Sequence, residues 1–249
     1  MRILLFFSVL FFNACLALAA GNLSNESFAA AKKMLAGQVY YDHSVTLYCG
    51  AAYDLEGKIT LSEGFSVASH AARAEKLEWE HVLPAENMGR FFQEWRQGHP
   101  ACVKGGKQYK GRRCAERVNR HYRLMQADMY NLYPSIGAVN ALRSNYTYGM
   151  LPEAASSFGQ CVMKVARNRA EPPERARGQI ARTYFYMAEA YSSSYRMSHR
   201  LRKLMRAWNS RYPVDAWECA RAGRIERLQG NENRFVKLAC LEAGLWRGD

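Results

Sequence analysis

Leu77-Glu78-Trp79-Glu80-His81-Val82-Leu83-Pro84-Ala85-Glu86-Asn87 is the stretch on which the reading of this chain turns. It packs carboxylates, an imidazole and apolar residues together and runs into a proline. In a regular strand side chains alternate between faces, so Trp79 and His81 share one face and Glu78 and Glu80 the other. Glu80 and His81 can serve one site only if the backbone bends or ends there. Pro84 has no N–H to give a sheet and makes such an end the expectation. A second stretch, Asp128-Met129-Tyr130-Asn131-Leu132-Tyr133-Pro134-Ser135, is expected to supply the partner. Glu80, His81 and Asn131 are then expected to converge, holding a divalent metal ion beside a general base.

That constellation suits phosphodiester hydrolysis. An imidazole with an ordinary pKa of about 6.5 can take a proton from water near neutral pH. A hard divalent ion neutralises charge on the phosphoryl oxygens and the leaving O3′, and it prefers oxygen ligands such as a carboxylate and an amide. Arginine or lysine holds the phosphate in line. Read locally, His81 beside a carboxylate is more often a surface pair or a satisfied buried histidine. Asn131 alone is more often a turn residue before Leu132.

Outward from this centre the chain is basic. Lys and Arg total 35 against 22 Asp and Glu, a formal net charge of +13 over 249 residues. Such an excess favours a polyanionic partner, although a merely solubilising surface has the same composition. Residues 97–121 form a basic, glycine-bearing excursion with Lys104, Lys107, Lys110, Arg112 and Arg113, suited to phosphate contact or to plain solvation. The hydrophobic fraction, 49%, supports a sizeable core.

The N-terminus predicts export. Met1-Arg2, an apolar run from Ile3 to Phe12 and Ala17-Leu18-Ala19 read as a secretory leader of residues 1–20, cleaved after Ala19 or Ala20. Cys15 after Ala14 is a weaker, lipoprotein-type alternative. Six cysteines remain in the mature chain, and in an oxidising compartment they read as disulfides. The simplest pairing is Cys102–Cys114 and Cys219–Cys240, leaving Cys49–Cys161 as a long staple. A zinc site built from His99, Cys102, Cys114 and His121 is the competing reading of two of them.

Periodicity predicts a helix over 24–36, capped by Ser24 or Asn25 and stopped at Gly37. It predicts a strand at 44–49 and a second at 58–61 across an Asp54–Gly57 turn. Residues 122–130 are helix-compatible, Asn131 to Pro134 breaks the pattern, and 150–177 reads as irregular. Helices follow at 178–191, along the Met197–Trp208 stripe, and near 215–228 and 232–243. The Met and aromatic stripes read as core, the arginine faces as solvated. Without an internal repeat or linker, 21–249 reads as one mixed α+β domain, predominantly helical.

Glu78 to Ala85, Asp128 to Asn140, Arg143-Ser144-Asn145, Glu171 to Gly178 and Ile180 to Met187, with Trp208-Asn209 and Trp217-Glu218-Cys219, resemble the bacterial endonuclease I family over nearly all of the mature chain. The resemblance implies a periplasmic or secreted nuclease with a ββα-metal (His-Me finger) core stapled by disulfides. It implies His81 as the general base, with Glu80 and Asn131 holding one Mg2+, for which Ca2+ or Mn2+ can substitute. It further implies cleavage of double- and single-stranded DNA, and often RNA, to 5′-phosphate ends, by a monomer with no membrane partner. Two departures stand out. The family arginine that follows a Gly-Gly is Lys107 here, so Lys107, Arg112 or Arg113 would take its role. Ala51 also stands where relatives often carry a further cysteine, and that cysteine's mate is absent too. The competing classes are a non-catalytic exported DNA-binding protein and a cationic protein acting on membranes or cell wall, neither of which needs Glu80, His81 and Asn131.

Overall fold

The computed structural model describes residues 21–67 and 69–247, so the expected leader lies outside the described residues. Ser27, not Ser24 or Asn25, caps the first helix α1 (Phe28–Met34), its hydroxyl accepting from the Ala30 N–H. Gly37 does not stop it. The chain continues as a π-helical turn, Leu35–Val39, which carries Leu35 and Val39 into the core.

The expected hairpin forms, but with a different first strand. β1 (Ala52–Tyr53) pairs with β2 (Ile59–Thr60). Asp54 Oδ1 accepts from the N–H groups of Glu56 and Lys58, which builds the turn. The predicted strand at 44–49 is reduced to one bridge, Val45 to Ala52. Its β-rich composition is overruled by Thr46, whose Oγ1 accepts from Ala51 N–H and folds 46–51 into a turn.

Next come β3 (Leu77–His81), α2 (Ala85–Gly89), α3 (Gln93–Arg96), β4 (Val103–Lys104), β5 (Lys107–Gln108), α4 (Arg112–Val118) and α5 (Arg120–Gln126). A 3-10 turn, Met129–Asn131, leads into β6 (Leu132–Ile136), followed at once by α6 (Gly137–Arg143). Asp128 caps that turn, its side chain accepting from Tyr130 N–H. β3 and β6 are antiparallel, with Glu80 opposite Tyr133 and His81 opposite Leu132. All five residues of β6 are buried. Its other edge is partly covered, because the Pro134 carbonyl accepts from Leu47 N–H. Pro134 therefore sits in a strand where the sequence predicts a break. Gly137 lets α6 turn tightly off β6, since a Cβ there would meet the Arg73 carbonyl oxygen at 2.7 Å. Two antiparallel strands and a short helix thus form one unit at the middle of the molecule.

The stretch expected to be irregular contains a small mixed sheet. β7 (Thr147–Tyr148) runs parallel to β9 (Arg169–Glu171), which pairs antiparallel with β8 (Lys164–Ala166). The C-terminal helices are α7 (Glu174–Ala190), α8 (His199–Arg211), α9 (Ala216–Gln229) and α10 (Arg234–Glu242). Helix α7 starts four residues earlier than its apolar spacing suggests, directly after Pro173. The expected stripes are core: Ile180, Tyr184 and Met187 of α7, with Met205 and Trp208 of α8, are buried. The pairs Cys49–Cys161, Cys102–Cys114 and Cys219–Cys240 are disulfides. The chain is thus a mixed α+β protein, rich in helix and held by three disulfides. No helix among the described residues is long and apolar enough to cross a membrane.

Candidate active site

β3 ends at His81, and the residues after it peel away under Pro84. At that end a cavity of about 520 Å³ opens, lined by Glu78, Glu80 and His81 of β3, Arg112 of α4, and Asn140 of α6 with Ser144 and Asn145 beyond it. Glu80 and His81 both stand inside the paired strand, opposite Tyr133 and Leu132, so no bend separates them, and the cavity is bordered by residues of both strand faces. Phe28 and Lys32 of α1 close another side.

His81 is buried, and its Nε2 lies 2.8 Å from the carbonyl oxygen of Gln126. A carbonyl can only accept, so Nε2 carries the hydrogen and Nδ1 keeps its lone pair. The Phe28 ring packs 4.8 Å from the imidazole, and the Arg112 guanidinium lies 5.2 Å from the Phe28 ring centre. Burial, reinforced by the Arg112 charge, pulls the imidazole pKa down to about 3. The ring is therefore neutral at physiological pH.

Glu80 is 2% exposed. Tyr48 OH donates to its Oε1 at 2.8 Å, and Arg143 Nη1 stands 2.9 Å from the same oxygen. The Tyr48 hydroxyl also lies 2.5 Å from that of Tyr148. Burial pushes the Glu80 carboxyl up, and Arg143 and Tyr48 act against that. Arg143 also donates to the carbonyl oxygen of His81 at 2.9 Å, and its other terminal nitrogen to that of Val82. One guanidinium therefore fixes the carboxylate and the two backbone carbonyls that follow the imidazole.

Asn131 is not brought into the cavity. It is fully buried, and its Oδ1 accepts from Leu83 N–H at 2.7 Å while its Nδ2 donates to Leu83 C=O at 2.9 Å. Both ends of the amide are committed to the backbone, which places Asn131, expected as a metal ligand, as a clamp on the segment after His81. The amide that does line the cavity is Asn140. Its Nδ2 donates to Glu78 Oε2 at 2.8 Å, and Glu78 is anchored by Arg73. Sequence reasoning misses Asn140 because 135–146 carries no clear helical pattern. Its spacing from Arg143 is the available signal, since residues three apart on a helix share a face.

The three cations expected at the phosphate also separate. Lys107 is exposed on the β4–β5 hairpin, and Arg113 is set against the Tyr109 ring. Neither lines the cavity, whereas Arg112 does. Arg112 is braced by Glu116 at 2.9 Å and by Gln126 at 3.3 Å.

The donor set is oxygen-rich and small. No group of three or more His, Cys, Asp or Glu side chains among the described residues could hold a metal ion. The zinc reading of Cys102 and Cys114 fails because they are bonded to each other. A hard ion that keeps several waters needs fewer protein ligands, and Glu80 with Asn140 fits that demand. Both side-chain partners of Glu80 fall on Oε1, and none among the described residues falls on Oε2.

The Endonuclease I family model matches residues 28–240. An extracellular deoxyribonuclease of Aeromonas hydrophila is 38% identical over 225 residues, covering 88% of this chain and 92% of that protein. A periplasmic deoxyribonuclease of the same organism is 37% identical over 222 residues, covering 86% and 87%. Endonuclease-1 of Buchnera aphidicola subsp. Baizongia pistaciae is 34% identical over 250 residues, covering 96% and 95%.

Proposed function

The chain belongs to the endonuclease I family, and from that premise we propose that it is an exported, Mg2+-dependent endonuclease that hydrolyses phosphodiester bonds of DNA, and also of RNA, to 5′-phosphate ends. The observation that carries this reading is the meeting of Glu80, a neutral His81, Arg112 and Asn140 around one cavity. The names of two relatives, one extracellular and one periplasmic, support export, as do three disulfides. The strand–strand–helix unit of β3, β6 and α6 is our candidate for the ββα-metal core.

In this mechanism Glu80 Oε2 and the Asn140 amide oxygen would hold the ion, which, when bound, neutralises charge on the phosphoryl group and the leaving O3′. His81 Nδ1 takes the proton from a water molecule as its oxygen attacks phosphorus. The P–O3′ bond breaks, the 3′ oxygen leaves and the phosphate stays on the 5′ side. Arg112 presents donors to the charged oxygens in a fixed plane, which a flexible lysine cannot do as well. Arg143 and Tyr48 touch no substrate in this scheme; they position Glu80.

The test uses purified mature protein and plasmid DNA. We expect cleavage with Mg2+, none with EDTA, and none by His81→Ala, which still retards DNA in a gel. Wild-type protein that retards DNA but cleaves nothing with Mg2+, Mn2+ or Ca2+ would instead make this a non-catalytic DNA-binding protein.

A further inference from the structure

A second groove, of about 720 Å³, opens between the β8–β9 turn and helix α8. Asn145 borders the catalytic cavity and Thr147 borders this one. The two rims are therefore two residues apart, at most about 7 Å of extended chain. Tyr148 belongs to the wall of the second groove and reaches back through Tyr48 to Glu80. The spaces are neighbours on one framework.

The groove is lined by four cations, Arg167, Arg169, Arg200 and Lys203, and by no carboxylate. None of the four has an ion-pair partner among the described residues. This contrasts with arginines elsewhere, such as Arg177 on Glu171, Arg182 on Glu218 and Arg234 on Glu189. Like charges gathered without counter-charges repel one another, and a polyanion removes that repulsion. Arg167 stands at φ 51 and Asn168 at φ 57, the left-handed pair that a two-residue hairpin turn demands. An arginine is an uncommon occupant of that conformation, and here it sits at the groove. Thr147, Asn168 and Ser198 add neutral groups able to donate to phosphate oxygens.

We propose that this groove holds the phosphodiester backbone of the nucleic-acid substrate a few nucleotides away from the bond being cut, so that the protein grips long strands better than short ones. The inference rests on the nuclease reading above and extends the substrate's path beyond the catalytic cavity. Phosphates recur every 3.4 Å or so along each strand of a duplex, so a strand leaving the first cavity meets the second within a few steps.

The experiment compares the mature chain with a variant carrying Arg167→Ala, Arg200→Ala and Lys203→Ala, all at exposed positions. A control variant removes three other exposed cations, with Lys76→Ala, Arg211→Ala and Arg247→Ala. Binding of a long duplex is measured against salt in a His81→Ala background, where nothing is cut. Each phosphate contact contributes about 0.9 to the slope of log K against log salt, so the groove variant should lose about 2 to 3 from that slope, with binding weaker by about tenfold or more. The control should lose much less. In the active background KM for the long duplex should rise while kcat, and cleavage of a very short oligonucleotide, stay within about twofold of wild type.

An unchanged slope, an equal loss in the control, or equal losses on long and short substrates would overturn the proposal. Should the triple variant fold poorly, a charge-reversal pair on α8 alone, Arg200→Glu with Lys203→Glu, is measured in the same way and judged by the same outcomes. If the slope falls but wild-type protein cuts no nucleic acid, the groove stands as a nucleic-acid site and the nuclease reading falls. If wild type cuts and the slope holds, only the groove proposal falls.

Discussion

Arg143 Nη1 lies 2.9 Å from Glu80 Oε1, with both side chains almost completely shut off from water. The same guanidinium holds the His81 and Val82 carbonyl oxygens. Removing one partner of a buried pair strands the other charge, which costs about 3–5 kcal/mol. Arg143→Met should therefore lower unfolding stability in urea by about that amount. Arg143→Lys should lose part of it, because a single ammonium cannot span a carboxylate and two carbonyls. A fully stable Arg143→Met protein would show that the pair is not the anchor described.

The two asparagines should separate stability from activity. Asn131→Ala leaves the Leu83 N–H and C=O without their partner and should cost about 1–3 kcal/mol. Asn140 is half-buried, and among the described residues its side chain hydrogen-bonds to Glu78 alone. Asn140→Ala should change stability by no more than about 0.5 kcal/mol, yet demand at least about tenfold more Mg2+ for cleavage. Thermal melts beside Mg2+ titrations of cleavage rate check both. The reverse pattern, a stable but inactive Asn131→Ala, would contradict the clamp.

Of Lys107, Arg112 and Arg113, only Arg112 borders the cavity. Arg112→Ala should lower kcat on a short oligonucleotide by about tenfold or more, a loss of at least about 1.4 kcal/mol in the transition state. Lys107→Ala and Arg113→Ala should stay within about twofold. A single-turnover assay reads this directly, and a dominant effect at Lys107 would reassign the phosphate contact to the hairpin.

Cys102–Cys114 closes the β4–β5 hairpin onto the first turn of α4, two residues beyond Arg112. A loop of this size is worth about 3 kcal/mol of unfolded-state entropy. Cys102→Ala with Cys114→Ala should lower stability by about that much. It should also lower kcat, because Arg112 loses its fixed base. Denaturant melts and cleavage rates on one preparation test the two effects together.

How far the residues alone reach is clearest at β3 and β6. An acid–imidazole pair before a proline implies a strand end, and β3 ends at His81. β6 is not legible, because Leu132 to Ile136 is buried on both faces and shows no alternation, and Pro134 argues against a strand. Its pairing with β3 and its cover from Leu47 are long-range facts with no local trace. The long C-terminal helices are readable because each spans several turns over which apolar residues recur at helical spacing. Helix α6 has seven residues, too few for a period to emerge, and Asn140 is hidden with it. Nothing in the neighbours of Asn131 distinguishes a ligand from a backbone clamp; only the position of Leu83 does. Thr46 shows the reverse error, where β-forming residues are bent by one hydroxyl.

The pairing of β3 with a completely buried β6 means that the strand carrying Glu80 and His81 is also anchored in the interior of the molecule. Loosening His81 requires detaching Leu132 and its neighbours from the interior. Heating should therefore extinguish cleavage and melt the protein in a single step, with no folded but inert form accumulating between them.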